Sequence, residues 1–398
     1  MTKVKKFLPP ALLIAISLQA AAPPLNQDVL KLVRGRMQEY IDRGEIAGIV
    51  TLVGRDGQIA ELDGVGYADI ENHKPMRSDT IVQIMSQTKT FTGVAAMILV
   101  DEGKLDVTRA VEDYLPEFKG IQVAEKKPDG MFSLHPPKHA PTVWELMCHT
   151  SGMKFLPATG EFAHINYTMD RTLAEAVRSY ATEHLVAEPG SKFIYSNMGI
   201  ATLGRIVEVL SGIDYAEFVK QRILVPLGMK DTFYYPPKDK EARIAMVYMT
   251  DADHRLVMAG EKAQGGDPAK FRKGAKYSGP ELALFSTASD LFRFYEMLAN
   301  HGTYGGERIL SAQAVEAMTH DYTPNHSNYG FTLAVLEGTH SLFHLTNPGT
   351  FGHGGAFGSV ALIDPKNGLV MIFLPQMLDG PTKQARYQFL QLAEAAVP

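Results

Sequence analysis

The sequence predicts an α+β fold, an antiparallel sheet flanked by terminal helices with a helical lobe inserted in the middle. Three observations predict it: β-rich runs of strand-like pattern near both ends of the chain, an amphipathic helical repeat ahead of the first of them, and helical periodicity through much of the stretch between. Sheet residues would then come from 25–85 and 286–398, and the helical lobe from 86–285.

The elements follow in order. Val29, Val33, Met37 and Ile41 recur every four positions while Lys31, Arg34, Arg36 and Glu39 take other faces, so the fold opens with a helix. Residues 47–53 and 58–66 then read as two strands joined by a turn at Arg55-Asp56-Gly57. Val94 to Val100 are apolar on every side, which marks a buried helix. Further helices are expected over 173–181, 198–210, 215–224 (Asp214 and Glu217 resembling a capping box) and 288–299, several closed by Gly212, Gly228 and Gly302. Residues 329–335, 358–363 and 369–374 read as strands, the last two joined through Pro365-Lys366-Asn367-Gly368. Segments 117–142 and 235–280, rich in Pro, Gly and Lys, are expected to be long surface loops. No internal repeat is present.

Composition narrows the function classes. With 398 residues, 45% hydrophobic and 21% charged, the chain can bury a large core, so disorder does not dominate. Net charge is −5 and basic residues cluster only at Lys3 to Lys6, so nucleic acid is not an expected partner. Those lysines, the apolar stretch 7–18 and Ala20-Ala21-Ala22 read as an export signal over 1–22, although Pro9, Pro10 and Pro23 fit it poorly. The stretch is too short to span a membrane, so stable insertion is not expected, and the mature protein would be periplasmic or secreted. One cysteine, Cys148, excludes an intrachain disulfide framework. Its neighbour His149 does not make a cysteine hydrolase, because adjacent side chains rarely face each other. No His-Glu-x-x-His cluster implies a metal and no Gly-x-Ser-x-Gly implies an α/β-hydrolase. Gly64-Val65-Gly66 lacks the third glycine of a dinucleotide fingerprint and sits in an expected strand.

Chemistry concentrates at Ser86-Gln87-Thr88-Lys89, which opens the buried helix. Serine and lysine at i and i+3 share one helix face. A helix N-terminus offers free N–H groups where an oxyanion could form, and a lysine pressed against apolar surroundings loses its charge more easily and can act as a base. The spacing occurs twice, but the second copy, Ser151-Gly152-Met153-Lys154, lies in a turn that Gly152 keeps from being helical. The Ser86 copy is therefore the candidate nucleophile.

Tyr195-Ser196-Asn197 and His353-Gly354-Gly355 are each unique in pattern. Taken in order with Ser86-x-x-Lys89, they resemble the three signatures of serine hydrolases built like penicillin-binding proteins and class C β-lactamases. Cys148-His149-Thr150-Ser151-Gly152, Glu188-Pro189-Gly190, the run 285–290 and the run 351–359 resemble that superfamily's framework, so the likeness spans roughly 28–395. The resemblance implies a β-lactamase/transpeptidase-like fold with the active site between the lobes. Ser86 would attack a carbonyl, and Lys89 and Tyr195 would move its proton, the ammonium of Lys89 stabilising a Tyr195 phenolate. Asn197, His353, Gly354 and Gly355 would bind substrate, and the N–H groups of Ser86 and Ala356 would receive the oxyanion; no cofactor is implied. The lactamases resembled carry lysine and then threonine or serine where this chain has His353 and Gly354. A histidine is mostly neutral at pH 7 and anchors a substrate carboxylate poorly. His-Gly-Gly instead looks like the esterase and D-aminopeptidase-like members. The expected activity is a carboxylesterase on short acyl esters, its substrate a small ester or amide. The alternatives are a D-amino-acid peptidase or weak β-lactamase with the same site and, of another class, a catalytically inactive cell-wall-binding module.

Overall fold

Asn26 accepts hydrogen bonds from the N–H groups of Asp28 and Val29, and this cap starts helix α1, Gln27–Asp42, in a computed structural model that describes residues 23–157, 169–260, 268–325, 327–336, 346–378 and 380–398. The expected export signal at 1–22 and part of the expected loop over 235–280 lie outside the described residues. The longer helices that follow are α2 Thr88–Asp101, α3 Leu173–Tyr180, α4 Asn197–Ser211, α5 Ala288–Ala299 and α6 Thr382–Ala395.

Strands from both ends of the chain meet in one antiparallel sheet, as the sequence implied. They are β1 Gly48–Arg55, β2 Gln58–Asp69, β3 Lys74–Pro75, β4 Ala334–Leu336, β5 Thr350–Gly354, β6 Val360–Asp364 and β7 Leu369–Pro375, in the order β4-β5-β6-β7-β1-β2-β3. The central strands β1 and β7 are apolar along nearly their whole length because both faces of the sheet are covered. Ile49 and Val53 of β1, with Leu369, Met371 and Phe373 of β7, pack on the side of α1 and α6. Val50 and Leu52, with Val370, Ile372 and Leu374, face the other way, into the larger core shared with α2, α4 and α5. Gly54 is small because the ring of Phe292 in α5 lies against it, 2.1 Å from where a Cβ would sit.

Three expectations need correction. Residues 329–335 do not form a strand along their length: Asn328 and Thr332 take positive φ, and Gly330 presses on Met318 O, so only β4 joins the sheet. The 215–224 helix is α-helical over Tyr215–Val219 and ends in one wider turn over Lys220–Leu224. Asp214 caps it, but Glu217 turns to Lys220 and Gln221 instead of completing a capping box. The expected loops hold two hairpins, Val123–Lys126 with Phe132–His135 and Tyr248–Thr250 with Leu256–Met258.

Candidate active site

Ser86 lies in a single 3-10 turn, Met85–Gln87, that runs directly into α2. Met85 enters it at φ +49°, a left-handed conformation that costs a side-chain-bearing residue about 1–3 kcal/mol and turns the chain sharply just before the serine. The surroundings hold this turn. Val82–Gln83 pairs with Phe285–Ser286, Ile84 N–H donates to Leu284 O at 3.0 Å, and Leu284 N–H donates to Thr88 Oγ1 at 3.1 Å.

Residues 280–286 also hold the lysine. Lys89 has no exposed surface; its Nζ lies 3.1 Å from Ser86 Oγ and donates to Glu281 O at 2.8 Å, both uncharged oxygens. Burial in α2 pulls its basicity down from the ordinary lysine value, and the Glu281 carboxylate opposes that pull. Burial raises the Glu281 carboxyl in turn, and Tyr277 Oη donates to its two oxygens at 3.0 Å each. Arg272, also buried, donates to Tyr277 O at 2.8 Å. This pocket of the protein thus encloses one carboxylate and two bases. The guanidinium keeps its proton under all ordinary conditions, so the amine is the group that yields. An uncharged amine within hydrogen-bond reach of a hydroxyl can take its proton.

Tyr195 stands on the other side of the serine, its hydroxyl within hydrogen-bond reach of the Ser86 side chain and its ring centroid 4.8 Å from Lys89 Nζ. The expected phenolate is not the resting form, because Lys89, drawn toward its uncharged form, supplies no ammonium beside the phenol before the reaction begins. Burial raises the phenol, the Glu281 charge acts in the same direction, and the hydrogen bond with Ser86 only partly offsets them. Ser86 and Tyr195 are half-buried, whereas Lys89 is enclosed. Asn197 opens α4 behind its cap Ser196, and its buried side-chain oxygen has no partner among the described residues.

His353 lies on β5, a strand the sequence reading missed because a histidine before two glycines suggests a turn. Gly355 brings the end of β5 onto the serine turn: an added Cβ there would sit 2.3 Å from Ile84 O, so only glycine allows this approach. At Gly354 a Cβ would meet only Ser359 O at 3.4 Å, an ordinary contact. Ala356 follows in an exposed turn closed by Gly358 N–H donating to Gly355 O at 3.0 Å. The imidazole of His353 is engaged at both nitrogens. Nδ1 lies 2.6 Å from Gly354 O, which makes it the donor, so Nε2 accepts from Tyr329 Oη at 2.9 Å. Burial drops its pKa to about 3, with Lys89 pushing the same way and the Gly354 carbonyl opposing. It therefore offers a substrate neither a positive charge nor a free ring nitrogen.

Sequence reasoning missed Glu281, Tyr329 and the part played by His149. Glu281 and Tyr329 carried no local signal. His149 did, as part of a Thr-Ser-Gly framework segment, and its ring proves to lie 4.4 Å from that of Tyr195. The second Ser-x-x-Lys copy is elsewhere engaged: Lys154 pairs with Glu183 at 2.5 Å, and Ser151 Oγ accepts from Met153 N–H at 3.4 Å.

The chain is similar over most of its length to several known proteins. An uncharacterized protein of Mycobacterium tuberculosis (strain CDC 1551 / Oshkosh) is 30% identical over 360 residues, covering 85% of this chain and 88% of its own length. Esterase EstB of Burkholderia gladioli is 26% identical over 381 residues, 90% of this chain and 92% of its own. Among solved structures, "EstCE1, a hydrolase with promiscuous acyltransferase activity" superposes with a TM-score of 0.76 at 25% identity, covering 92% of this chain and 99% of that one. The beta-lactamase family model matches residues 31–395, and the chain belongs to that family of β-lactamase-fold hydrolases.

Proposed function

We propose that the protein is a serine hydrolase that forms an acyl-enzyme on Ser86 and acts as a carboxylesterase on short acyl esters. The observation that carries this reading is the enclosed Lys89, held 3.1 Å from the Ser86 hydroxyl with its basicity lowered by burial. Ser86 Oγ attacks the ester carbonyl while Lys89 accepts the serine proton. The N–H groups of Ser86 and Ala356 receive the oxyanion, each donor worth about 3 kcal/mol. Tyr195, a phenol that keeps its proton, gives that proton to the departing alkoxide, and the newly charged Lys89 stabilises the phenolate left behind. In the second half-reaction the phenolate takes a proton from water, the hydroxide adds to the acyl carbonyl, and Ser86 leaves with the proton held by Lys89. Charge and protons balance over the cycle, and no cofactor enters it.

The preference for esters over carboxylate-bearing lactams rests on His353, whose two nitrogens are taken up inside the protein. Without a cation there, a substrate carboxylate has no charge-assisted partner at that position. A relative named as an esterase supports the same direction. The test is turnover of p-nitrophenyl acetate and butyrate beside benzylpenicillin and a D-alanyl peptide. The reading predicts kcat/KM for the esters at least about tenfold above the others. Equal or faster turnover of penicillin or peptide would replace the esterase by a lactamase or peptidase, and no turnover of any, with no labelling by a fluorophosphonate, would leave a binding module.

A further inference from the structure

The loop between α2 and α3 that carries the discarded Ser-x-x-Lys copy lies along the whole Tyr-Ser-Asn segment. Ser196 Oγ donates to Lys154 O at 2.6 Å, and Asn197 N–H donates to Phe155 O at 3.1 Å. One residue of this loop reaches both sides of the tyrosine. Ile194 N–H donates to His149 O at 2.7 Å and Ser196 N–H donates to His149 Nδ1 at 3.1 Å. We propose that His149 is the positioning residue for Tyr195: its carbonyl and its Nδ1 grip the peptide N–H groups on either side of the tyrosine and so fix the phenol against Ser86.

Three features of the position fit this role. The ring is fully buried, with ring centroids 4.4 Å from Tyr195, 4.9 Å from Tyr329 and 5.8 Å from Phe193. Its Nε2 has no hydrogen-bond partner among the described residues, an unsatisfied polar atom that a leucine or phenylalanine of similar bulk would avoid. What those side chains cannot supply is an acceptor for Ser196 N–H. The backbone at His149 is left-handed, φ +59°, a conformation that lets one residue turn both its carbonyl and its side chain toward the same strand of chain. Since Nδ1 accepts, the ring proton is on Nε2 and the imidazole is neutral. A protonated ring would set N–H against N–H. Burial favours the neutral form, and a proton on Lys89 or His353 would only disfavour a cation there further.

The proposal rests on the reading of Tyr195 as a proton-moving group, and the test separates the two. His149→Gly accepts the left-handed backbone and removes only the side chain; His149→Asn also tolerates that backbone and restores an oxygen acceptor near the place of Nδ1. Both are compared with the wild type and Tyr195→Phe for melting, kcat and KM on p-nitrophenyl butyrate, alone and combined. Small misplacement of a reacting group costs up to about a hundredfold. His149→Gly should therefore lower kcat about ten- to a hundredfold with KM within about threefold, and His149→Asn should regain most of the loss. In the Tyr195→Phe background, His149→Gly should cost no more than about twofold further, because nothing is left to position. Should the glycine variant not fold, His149→Leu, which keeps the buried bulk and lacks the acceptor, takes its place in both comparisons. A folded His149→Gly with wild-type kcat, an asparagine variant no better than the glycine one, or an equal loss in the Tyr195→Phe background would each overturn the clamp. An unchanged kcat in Tyr195→Phe alone would overturn the reading beneath it.

Discussion

Two Ser-x-x-Lys segments in one chain, Ser86 to Lys89 and Ser151 to Lys154, differ in what surrounds the lysine. Lys89 lies on α2, enclosed, with Nζ on the Ser86 hydroxyl and a main-chain carbonyl. Lys154 lies in a loop and pairs with Glu183, both side chains nearly buried. Gly152, at φ +76°, turns the chain between Ser151 and Lys154 against Ala187 O, where a Cβ would sit at 2.2 Å, so the two side chains do not share a helix face. The comparison teaches that the proposed role of the first copy depends on a lysine that is desolvated and makes no salt-bridge contact. Lys154, its Nζ taken up by Glu183, is not placed to reach a serine hydroxyl and is structural.

The largest expected effect comes from exchanging the serines. Ser86→Ala should lower kcat by about a thousandfold or more with little change in melting, since it removes only the nucleophilic oxygen. Ser151→Ala should leave kcat within about threefold, and steady-state kinetics of the two variants at equal folded concentration decides between them.

Exchanging the lysines should split chemistry from stability. Lys89→Met should lose about a hundredfold or more in kcat while melting no lower than the wild type, because a buried amine hydrogen-bonded only to uncharged oxygens is replaced by an apolar chain of similar length. Lys154→Met should keep most activity but strand Glu183 in a nearly buried place, at a cost of about 3 kcal/mol visible in denaturant unfolding. If both variants lost the same property, the distinction between the two copies would collapse.

The pH profile should show the same asymmetry more finely. Only the neutral amine accepts the serine proton, so kcat/KM rises with pH as Lys89 loses its charge, with a midpoint well below the ordinary lysine value because burial lowers it. Glu281 favours the ammonium form of Lys89, so Glu281→Gln should move that midpoint to lower pH, by about one unit. Movement to higher pH would contradict the assignment of Lys89 as base. His353, at about 3, should add no limb between pH 5 and 9, and His353→Gln should leave the midpoint unmoved.

The smallest effects separate the two glycines that place β5 against the serine turn. Gly355→Ala should reduce activity about tenfold, since its Cβ would collide with Ile84 O two residues before Ser86. Gly354→Ala, with only an ordinary contact, should stay within about threefold in the same assay.

Much of this was legible in the sequence, for identifiable reasons. The terminal strands and α1 showed because their apolar periods are undiluted, and Ser86, Lys89 and Tyr195 showed because each sits in a short motif at an element boundary. β5 did not, because its sequence Thr-Phe-Gly-His-Gly holds two glycines, which weaken any strand reading. Its placement is decided by pairing with β4 and β6. Glu281 touches Lys89 from 192 positions away through a main-chain oxygen, a contact no side-chain pattern can announce. A resting phenolate at Tyr195 failed for a physical reason: proximity of a lysine was read without the burial that removes charge from both groups.

The central claim is tested most directly by trapping the intermediate. After rapid acid quench of a reaction with p-nitrophenyl butyrate, digestion and mass spectrometry should find one butyryl group, on the peptide containing Ser86, and none in the Ser86→Ala variant. A butyryl group on the Ser151 peptide, or an unmodified Ser86 peptide from enzyme that is turning over ester, would contradict it.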